Sequence, residues 1–201
     1  LYTEMMPSSQ IVSAYNRAKQ IYKIDLPKSE STKSESTPTP NEIINLVQQV
    51  IDNPSLEYQS AALASKSLPY EVLTLHQLLA TSCSQESPVV LQLGGNDPTT
   101  LGIAAAIGAA WGRCSRWNQE SQQNSQQSQS QSQHSQSQSH YIAINLNCGC
   151  PSNAVGGRAG GCSLMATPEL VLQCVDTMKS SIDEIYNTCL LYTSPSPRDS
   201  R

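Results

Sequence analysis

The residues with the clearest capacity for chemistry form the run Asn147–Ser152, which reads Asn-Cys-Gly-Cys-Pro-Ser. The run follows directly after a predicted strand, so Cys150 lies at a strand terminus where its thiol can face a cleft. Gly149 allows the backbone to approach a flat ligand closely. Because a thiol near neutral pH can donate a proton, the run predicts Cys150 as a proton donor. Most free cysteines are instead small buried hydrophobic residues. That ordinary role is preferred for Cys83, Cys114, Cys174 and Cys189.

Two buried strands and two helices alternate around this run. The strands are predicted at Pro88–Leu93 and Tyr141–Leu146, where apolar residues run together. A helix over Thr99–Trp111 follows the first strand, with Asp97 as its cap, and a second helix begins at Pro168. Thr167 is the predicted cap of this second helix, and its apolar positions are Leu170, Val171, Cys174, Val175 and Met178. Strands and helices in this order indicate an α/β fold with a parallel sheet.

The amino-terminal half predicts one further strand and several helices. Leu1–Met5 is short, apolar and compatible with a strand, and Ile11–Ile24 has apolar residues near helical spacing. Asn41–Ile51 resumes helical periodicity, with Asn41 as its predicted N-cap and an acidic residue in the first turn. Tyr70–Leu79 is predicted as another short helix.

Two polar tracts interrupt these elements. Lys28–Pro40 is rich in Ser, Thr, Lys, Glu and Pro, and Gln119–Ser139 is almost entirely Ser and Gln. Such compositions cannot bury a core, so both tracts are predicted to be disordered insertions. They also explain a hydrophobic content of 38%, which is below the roughly 45–50% of an average domain.

The charge and cysteine content constrain the partners and the compartment. The net charge of −4 provides no global basic field for a nucleic acid and counts mildly against RNA binding. Seven cysteines are an odd and scattered set, unlike a secreted disulfide framework. No signal peptide or membrane-spanning run is visible. These features predict an intracellular, cytoplasmic protein without a membrane partner, and an organelle stays open because the chain begins without Met.

Three stretches share residues with one enzyme family. They are Leu1–Met5, Leu91–Pro98, and Ile144–Ser152 followed by Gly160, Gly161, Leu164 and Met165. Together they resemble the signature of tRNA-dihydrouridine synthases, in particular the bacterial type that acts on the D-loop. The resemblance implies part of a (β/α)8 TIM barrel, roughly strands two to four with their helices. Residues 1–188 are then a partial dihydrouridine synthase domain.

The resemblance also implies roles for individual residues. Cys150 corresponds to the general acid that protonates C5 of uracil, while reduced FMN delivers hydride to C6. Gln92 corresponds to a flavin contact, and Asn147 to a residue that holds ring and base near each other. NADPH reduces the flavin again, as expected for an oxidoreductase whose cofactor does the redox step. The implied partner is tRNA, whose uridine must leave its base stack to reach the flavin. The protein is expected to be a monomer and to bind no metal.

The sequence departs from the family pattern at several places. The flavin loop of the first strand would precede Leu1, and the Lys, His and phosphate-binding loops would follow Asp183. The helical tRNA-binding domain is also missing, and Gly157–Gly161 lacks the family's usual Phe. Residues 189–201 resemble a translated sequencing adapter and are interpreted as a non-native tail, with a natural disordered tail as the alternative. We therefore expect a fragment that is inactive alone.

Other interpretations stay open at this point. Another FMN barrel, of the dihydropyrimidine or dihydroorotate dehydrogenase kind, also carries a Cys or Ser after a strand that bears Asn. A truncated product without enzymatic activity is a third possibility.

Several side chains have more ordinary explanations. Zinc sites favour Cys-x-x-Cys pairs, which disfavours a metal site at Cys148, Cys150 and Cys162. His76 is interpreted as packed or solvated, and Arg113 and Arg116 as surface residues near a helix end rather than an RNA patch.

Overall fold

The computed structural model describes residues 2–22, 37–65, 72–80, 89–125, 141–150 and 161–188. Three strands form one sheet in the order β1-β2-β3, namely β1 (Met6–Pro7), β2 (Val89–Gly94) and β3 (Tyr141–Leu146). Both pairings are parallel, with Met6 opposite Leu93 and Leu93 opposite Leu146. The predicted α/β class with a parallel sheet is confirmed. The eight-stranded barrel stays a prediction, because the described sheet has three strands.

Helices make up most of the rest of the described chain. They are α1 (Ser8–Ile21), α2 (Pro40–Asp52), α3 (Ser55–Ser65), α4 (Leu75–Leu79), α5 (Pro98–Ser125) and α6 (Pro168–Asn187), with a 3-10 helix at Gly161–Ala166. None of the helices in the described ranges is both long enough and apolar enough to cross a bilayer.

The two main strands lie where the sequence predicts them. β3 covers Tyr141–Leu146 as predicted, and β2 extends the prediction by one residue to Gly94. The first strand differs in its bounds, because the continuous ladder forms at Met6–Pro7, while Leu1–Met5 contributes an isolated parallel bridge between Tyr2 and Val90. The preceding segment is still tied to β2, since the backbone N–H of Thr3 donates to the carbonyl of Val90 at 3.0 Å.

The start of α2 corrects the predicted boundary of the first polar tract. Thr39, and not Asn41, is the N-cap, and Pro40 is the first helical residue. The Thr39 hydroxyl accepts from the N–H of Glu42 at 3.4 Å, and the Glu42 carboxylate accepts from the N–H of Thr39 at 2.7 Å. This reciprocal capping box satisfies two backbone donors and orders the end of the tract. Residues 28–36 lie outside the described part of the chain.

The extent of helix α5 corrects the prediction that the whole second polar tract is disordered. Asp97 precedes Pro98, and its carboxylate accepts from the Thr100 N–H at 2.8 Å, as predicted for a cap. The helix continues far past Trp111 to Ser125, so the predicted disorder is wrong for residues 119–125. Extending an existing helix adds a hydrogen bond for each residue fixed, and Gln is a good helix former. Residues 126–139 lie outside the described ranges.

The other helices agree with the predictions in part. Helix α1 begins at Ser8 instead of Ile11, and its predicted apolar positions Ile11, Ala14, Tyr15 and Ala18 are buried. Helix α3 is not predicted, and α4 is shorter than Tyr70–Leu79 because a capping box at Thr74 starts it late. Residues 70 and 71 are not described.

Helix α6 begins at Pro168 as predicted, with Thr167 at the N-cap position. The Thr167 hydroxyl donates to the carbonyl of Leu164 at 3.5 Å and does not cap the helix. The predicted apolar face is right for Cys174 and Met178, which are buried, and wrong for Val175, which is 43% exposed.

The hydrophobic core lies between the sheet and the helices, and α5 runs through its centre. Leu101, Ile107 and Trp111 of this helix are fully buried. Arg113 donates to the carbonyl of Ile185 in α6. It lies in the interior of α5, so the expected surface arginine at a helix end is wrong here. The core thus fixes α5 against the strands that carry the site, and α6 packs on α5.

Candidate active site

The carboxyl ends of β2 and β3 bring together the two amide side chains singled out in the sequence. Gln92 lies in β2, and Asn147 is the first residue after β3. The Asn147 N–H donates to the carbonyl of Leu93 at 2.8 Å, which continues the parallel ladder by one bond. This bond places the side chains so that Asn147 Nδ2 donates to Gln92 Oε1 at 2.7 Å.

The same Asn147 side chain organises the loop that carries Cys150. Its Oδ1 accepts from the backbone N–H of Gly149 at 2.8 Å and from that of Cys150 at 3.0 Å. An Asn side chain that binds the backbone two and three residues later imitates a turn. Cys150 is therefore held at the end of β3, half-buried, as the sequence predicts.

The loop is open on the side of Gly149. A Cβ placed on this exposed glycine would meet one described atom within 4 Å, Asn147 Oδ1 at 3.9 Å. The backbone at Gly149 therefore presents a surface without a side chain. A planar ring can approach such a surface more closely than it could approach any other residue type.

A second segment closes on the Cys150 loop from the other side. The Cys162 N–H donates to the carbonyl of Cys150 at 2.9 Å. The preceding Gly161 has a φ of +59°, and a Cβ there would overlap the carbonyl oxygen of Cys150. Glycine is required at this position for both its backbone conformation and its contact. The sequence indicated Gly161 by resemblance, without its physical reason.

Thr3 is a contributor that the sequence analysis did not single out. Its hydroxyl oxygen accepts from the backbone N–H of Gln92 at 3.0 Å. Gln92 is thus fixed at its backbone by Thr3 and at its side chain by Asn147. The available signal was the position of Thr3 in an otherwise apolar extended stretch, Leu1–Met5.

Two other cysteines differ from Cys150 in burial. Cys174 is fully buried, and burial raises its pKa, with Asp97 and Cys148 adding to the rise. Cys114 is also buried, and burial raises its pKa to about 11. The ordinary role predicted for these two residues is confirmed, while Cys83 and Cys189 lie outside the described residues. Across the described ranges, no group of three or more His, Cys, Asp or Glu side chains could hold a metal ion.

His76 belongs to the helical side of the molecule. Its ring packs edge-on against Trp111 and against Tyr58, and its Nδ1 lies 2.8 Å from the Tyr58 hydroxyl. Burial lowers its pKa. The interpretation of His76 as a packed residue is confirmed.

The fold and the site together define an α/β protein with a thiol and two linked amides at the carboxyl ends of adjacent parallel strands. Residues 122–188 match the family model described as dihydrouridine synthase. The family resemblance drawn from the sequence is confirmed by this match and by the relatives that follow.

Curated relatives carry the name tRNA-dihydrouridine(20/20a) synthase. The chain is 36% identical over 107 residues to the protein of that name from Synechocystis sp., which is 53% of this chain and 24% of the relative. It is 42% identical over 94 residues to the one from Xanthomonas campestris pv. campestris, which is 46% of this chain and 19% of the relative. The matched region therefore spans about a quarter of these relatives or less. No solved structure matches the chain.

Proposed function

We propose that this chain is part of an enzyme that reduces uridine to 5,6-dihydrouridine in the D-loop of tRNA, with FMN as cofactor and NADPH as reductant. The names of the curated relatives support formation of dihydrouridine in tRNA. The observation that carries the proposal is the Asn147 side chain, which links Gln92 to the backbone of Cys150. It joins the Gln92 amide to the loop that carries the Cys150 thiol, at one edge of the sheet.

The donor set at this edge fits a flavin. The Gln92 amide has N–H groups that are not used by Asn147, because its oxygen takes that bond. The edge of a flavin ring carries carbonyl oxygens that accept such donors, and the open backbone at Gly149 gives a flat ring room to approach. Gln92 and Asn147 would hold the ring, and the bound cofactor would supply hydride to C6 of uracil.

Cys150 would supply the proton. Addition of hydride at C6 leaves electron density on C5, and the Cys150 thiol would donate its proton there, which completes the addition of two hydrogens across the C5–C6 bond. The half-buried side chain has access to solvent, so the thiolate can recover a proton after each turnover. Asn147 would keep the thiol in place, because it holds the backbone N–H of Cys150.

The remaining parts of the reaction are proposed for the longer protein. The matched region is 24% or less of the relatives, and the phosphate site of FMN and the surface for tRNA would come from the rest. The net charge of this chain is −4, so a basic surface for the phosphate backbone of tRNA would also have to lie elsewhere.

The test is a reconstitution with the full-length protein, NADPH and tRNA that lacks dihydrouridine. We expect bound FMN and new dihydrouridine in the D-loop, measured by mass spectrometry of tRNA digests. Turnover of free dihydropyrimidines or dihydroorotate, with no change in tRNA, would contradict the proposal and favour the other FMN barrels.

A further inference from the structure

The direction of the Asn147 amide is determined by its neighbours. Its oxygen faces two backbone N–H groups, those of Gly149 and Cys150, at 2.8 and 3.0 Å. Only the oxygen of the amide can accept these bonds, so the nitrogen must point to the opposite side. There it meets Gln92 Oε1 at 2.7 Å. The orientation therefore follows from hydrogen-bond chemistry.

The direction of the Gln92 amide follows in turn. Because Asn147 offers an N–H, Gln92 must offer its oxygen, and its own NH2 group is turned away from Asn147. The backbone of Gln92 is meanwhile fixed by the Thr3 hydroxyl at 3.0 Å. Within the described part of the chain, no hydrogen bond from this NH2 group to an acceptor is present, and Gln92 as a residue is half-buried.

We infer that Asn147 is a positioning residue that makes Gln92 a hydrogen-bond donor, so that the site selects a ring whose facing atom is an acceptor such as a carbonyl oxygen. This inference rests on the proposed function for the identity of that ring, which is flavin or uracil. Asn147 fixes Gln92 with one of its two amide N–H groups, while its oxygen binds the loop backbone.

Asn147→Asp tests this relay while keeping the Cys150 loop. The carboxylate still accepts from Gly149 and Cys150, but it cannot donate to Gln92. Gln92 must then turn its NH2 group to residue 147 and present its oxygen to the ring. Gln92→Glu also presents an acceptor to the ring. One oxygen of its carboxylate accepts from Asn147, and the other oxygen faces the ring where the NH2 group of Gln92 would be. We expect both variants of the full-length protein to bind the ring about tenfold more weakly or worse.

Gln92→Met is the matched control, since it removes the amide without presenting a wrong atom. It should weaken binding less than Gln92→Glu. In the Gln92→Met background, Asn147→Asp should have little further effect, because there is no amide left to turn over. Flavin affinity is measured by the quenching of FMN fluorescence on binding, and the KM for tRNA is measured on the FMN-loaded protein.

The outcomes separate the possibilities. A change in FMN affinity that disappears in the Gln92→Met background identifies the flavin as the acceptor, and the same pattern in the KM for tRNA identifies uracil. An effect of Asn147→Asp that persists in the Gln92→Met background would overturn the inference, as would wild-type values for both quantities in Asn147→Asp. Those results would leave the proposed function intact. A wild-type protein that bound no flavin and formed no dihydrouridine would overturn both.

Discussion

The strand-end cluster, Thr3, Gln92, Asn147 and Cys150, and the helical side of the sheet are held together by different forces. Directional hydrogen bonds between half-buried residues fix the cluster. On the helical side, Leu101, Ile107 and Trp111 are fully buried by apolar contact. Hydrogen bonds specify where an atom points, whereas apolar burial supplies most of the free energy of folding. Changes in the cluster should therefore affect chemistry, and changes on the helical side should affect stability.

The largest effect is expected at Cys150. Cys150→Ala in the full-length protein should lower dihydrouridine formation by about 10²–10⁴-fold, because a general acid is lost, while FMN binding and thermal stability stay close to wild type. Cys148→Ala is the matched control, since Cys148 lies in the same loop and is also half-buried. Unchanged turnover of Cys150→Ala on unmodified tRNA would refute the assignment.

Ile107 tests the expectation that changes on the helical side affect stability and not chemistry. Ile107→Ala removes a fully buried side chain from α5 and should lower the free energy of unfolding by about 2–5 kcal/mol, measured by urea denaturation. Ile107→Val should cost about 0.5–1.5 kcal/mol. Turnover for each folded molecule should stay near wild type, and a selective loss of turnover would show that the two regions are coupled.

Gly161 is where the comparison can be sharpened, because it touches the Cys150 loop by its backbone. Gly161→Ala places a side chain on a residue with a φ of +59° and against the Cys150 carbonyl. We expect a loss of about 1–3 kcal/mol in stability from backbone strain and a fall in turnover, since Cys150 must move. Gly149→Ala provides the comparison for stability, because a Cβ at that position would meet Asn147 Oδ1 at an ordinary contact distance of 3.9 Å. A Gly161→Ala protein with wild-type turnover would show that the loop tolerates the shift.

Asp97 gives a smaller, pH-dependent effect. The hydroxyl and the N–H of Thr100 both donate to its carboxylate and hold its pKa below the ordinary value. A depressed pKa means that Asp97 stabilises the fold above its unfolded pKa of about 4, and this contribution is lost as the pH falls through the folded pKa. Asp97→Ala should cost about 0.5–2 kcal/mol at pH 7, and the difference from wild type should shrink below about pH 4. Asp97→Asn keeps an acceptor without the titration and should retain most of the stability at pH 7.

The smallest effect is expected in the Ser/Gln tract. Replacing Gln126–Ser139 by Gly and Ser at the same length should change stability by less than about 0.5 kcal/mol. Deletion of the same residues should not be neutral. Gly112 lies against the backbone of Tyr141, and Ser125 is about 20 Å further along α5 at 1.5 Å per residue. A single remaining residue spans less than about 4 Å, so the end of α5 would have to unwind. Equal stability of both variants would contradict the extent of α5.

The sequence predicted the elements whose residues show a clear local pattern. Apolar runs located β2 and β3, and periodicity located α1, α2 and α6. Helix α3 was missed because its apolar residues do not form one face, and Leu63 is 68% exposed. The link from Thr3 through Gln92 to Asn147 was not predicted, because it joins residues that only the sheet brings together. Resemblance identified Gln92, Asn147 and Cys150 as a set, and the geometry added how they bind one another.

The parallel arrangement of the three strands has a consequence for folding kinetics. The bond between Asn147 and Gln92 joins residues 55 positions apart, and the bond between Thr3 and Gln92 joins residues 89 positions apart. Bringing together residues so far apart in sequence costs chain entropy before the contact contributes any favourable energy. Such contacts therefore form slowly. The hydrogen bonds within each helix join residues only four positions apart and can form first. We therefore expect the cluster to be among the last parts of the chain to become ordered during folding, which would delay flavin capture until the sheet is complete.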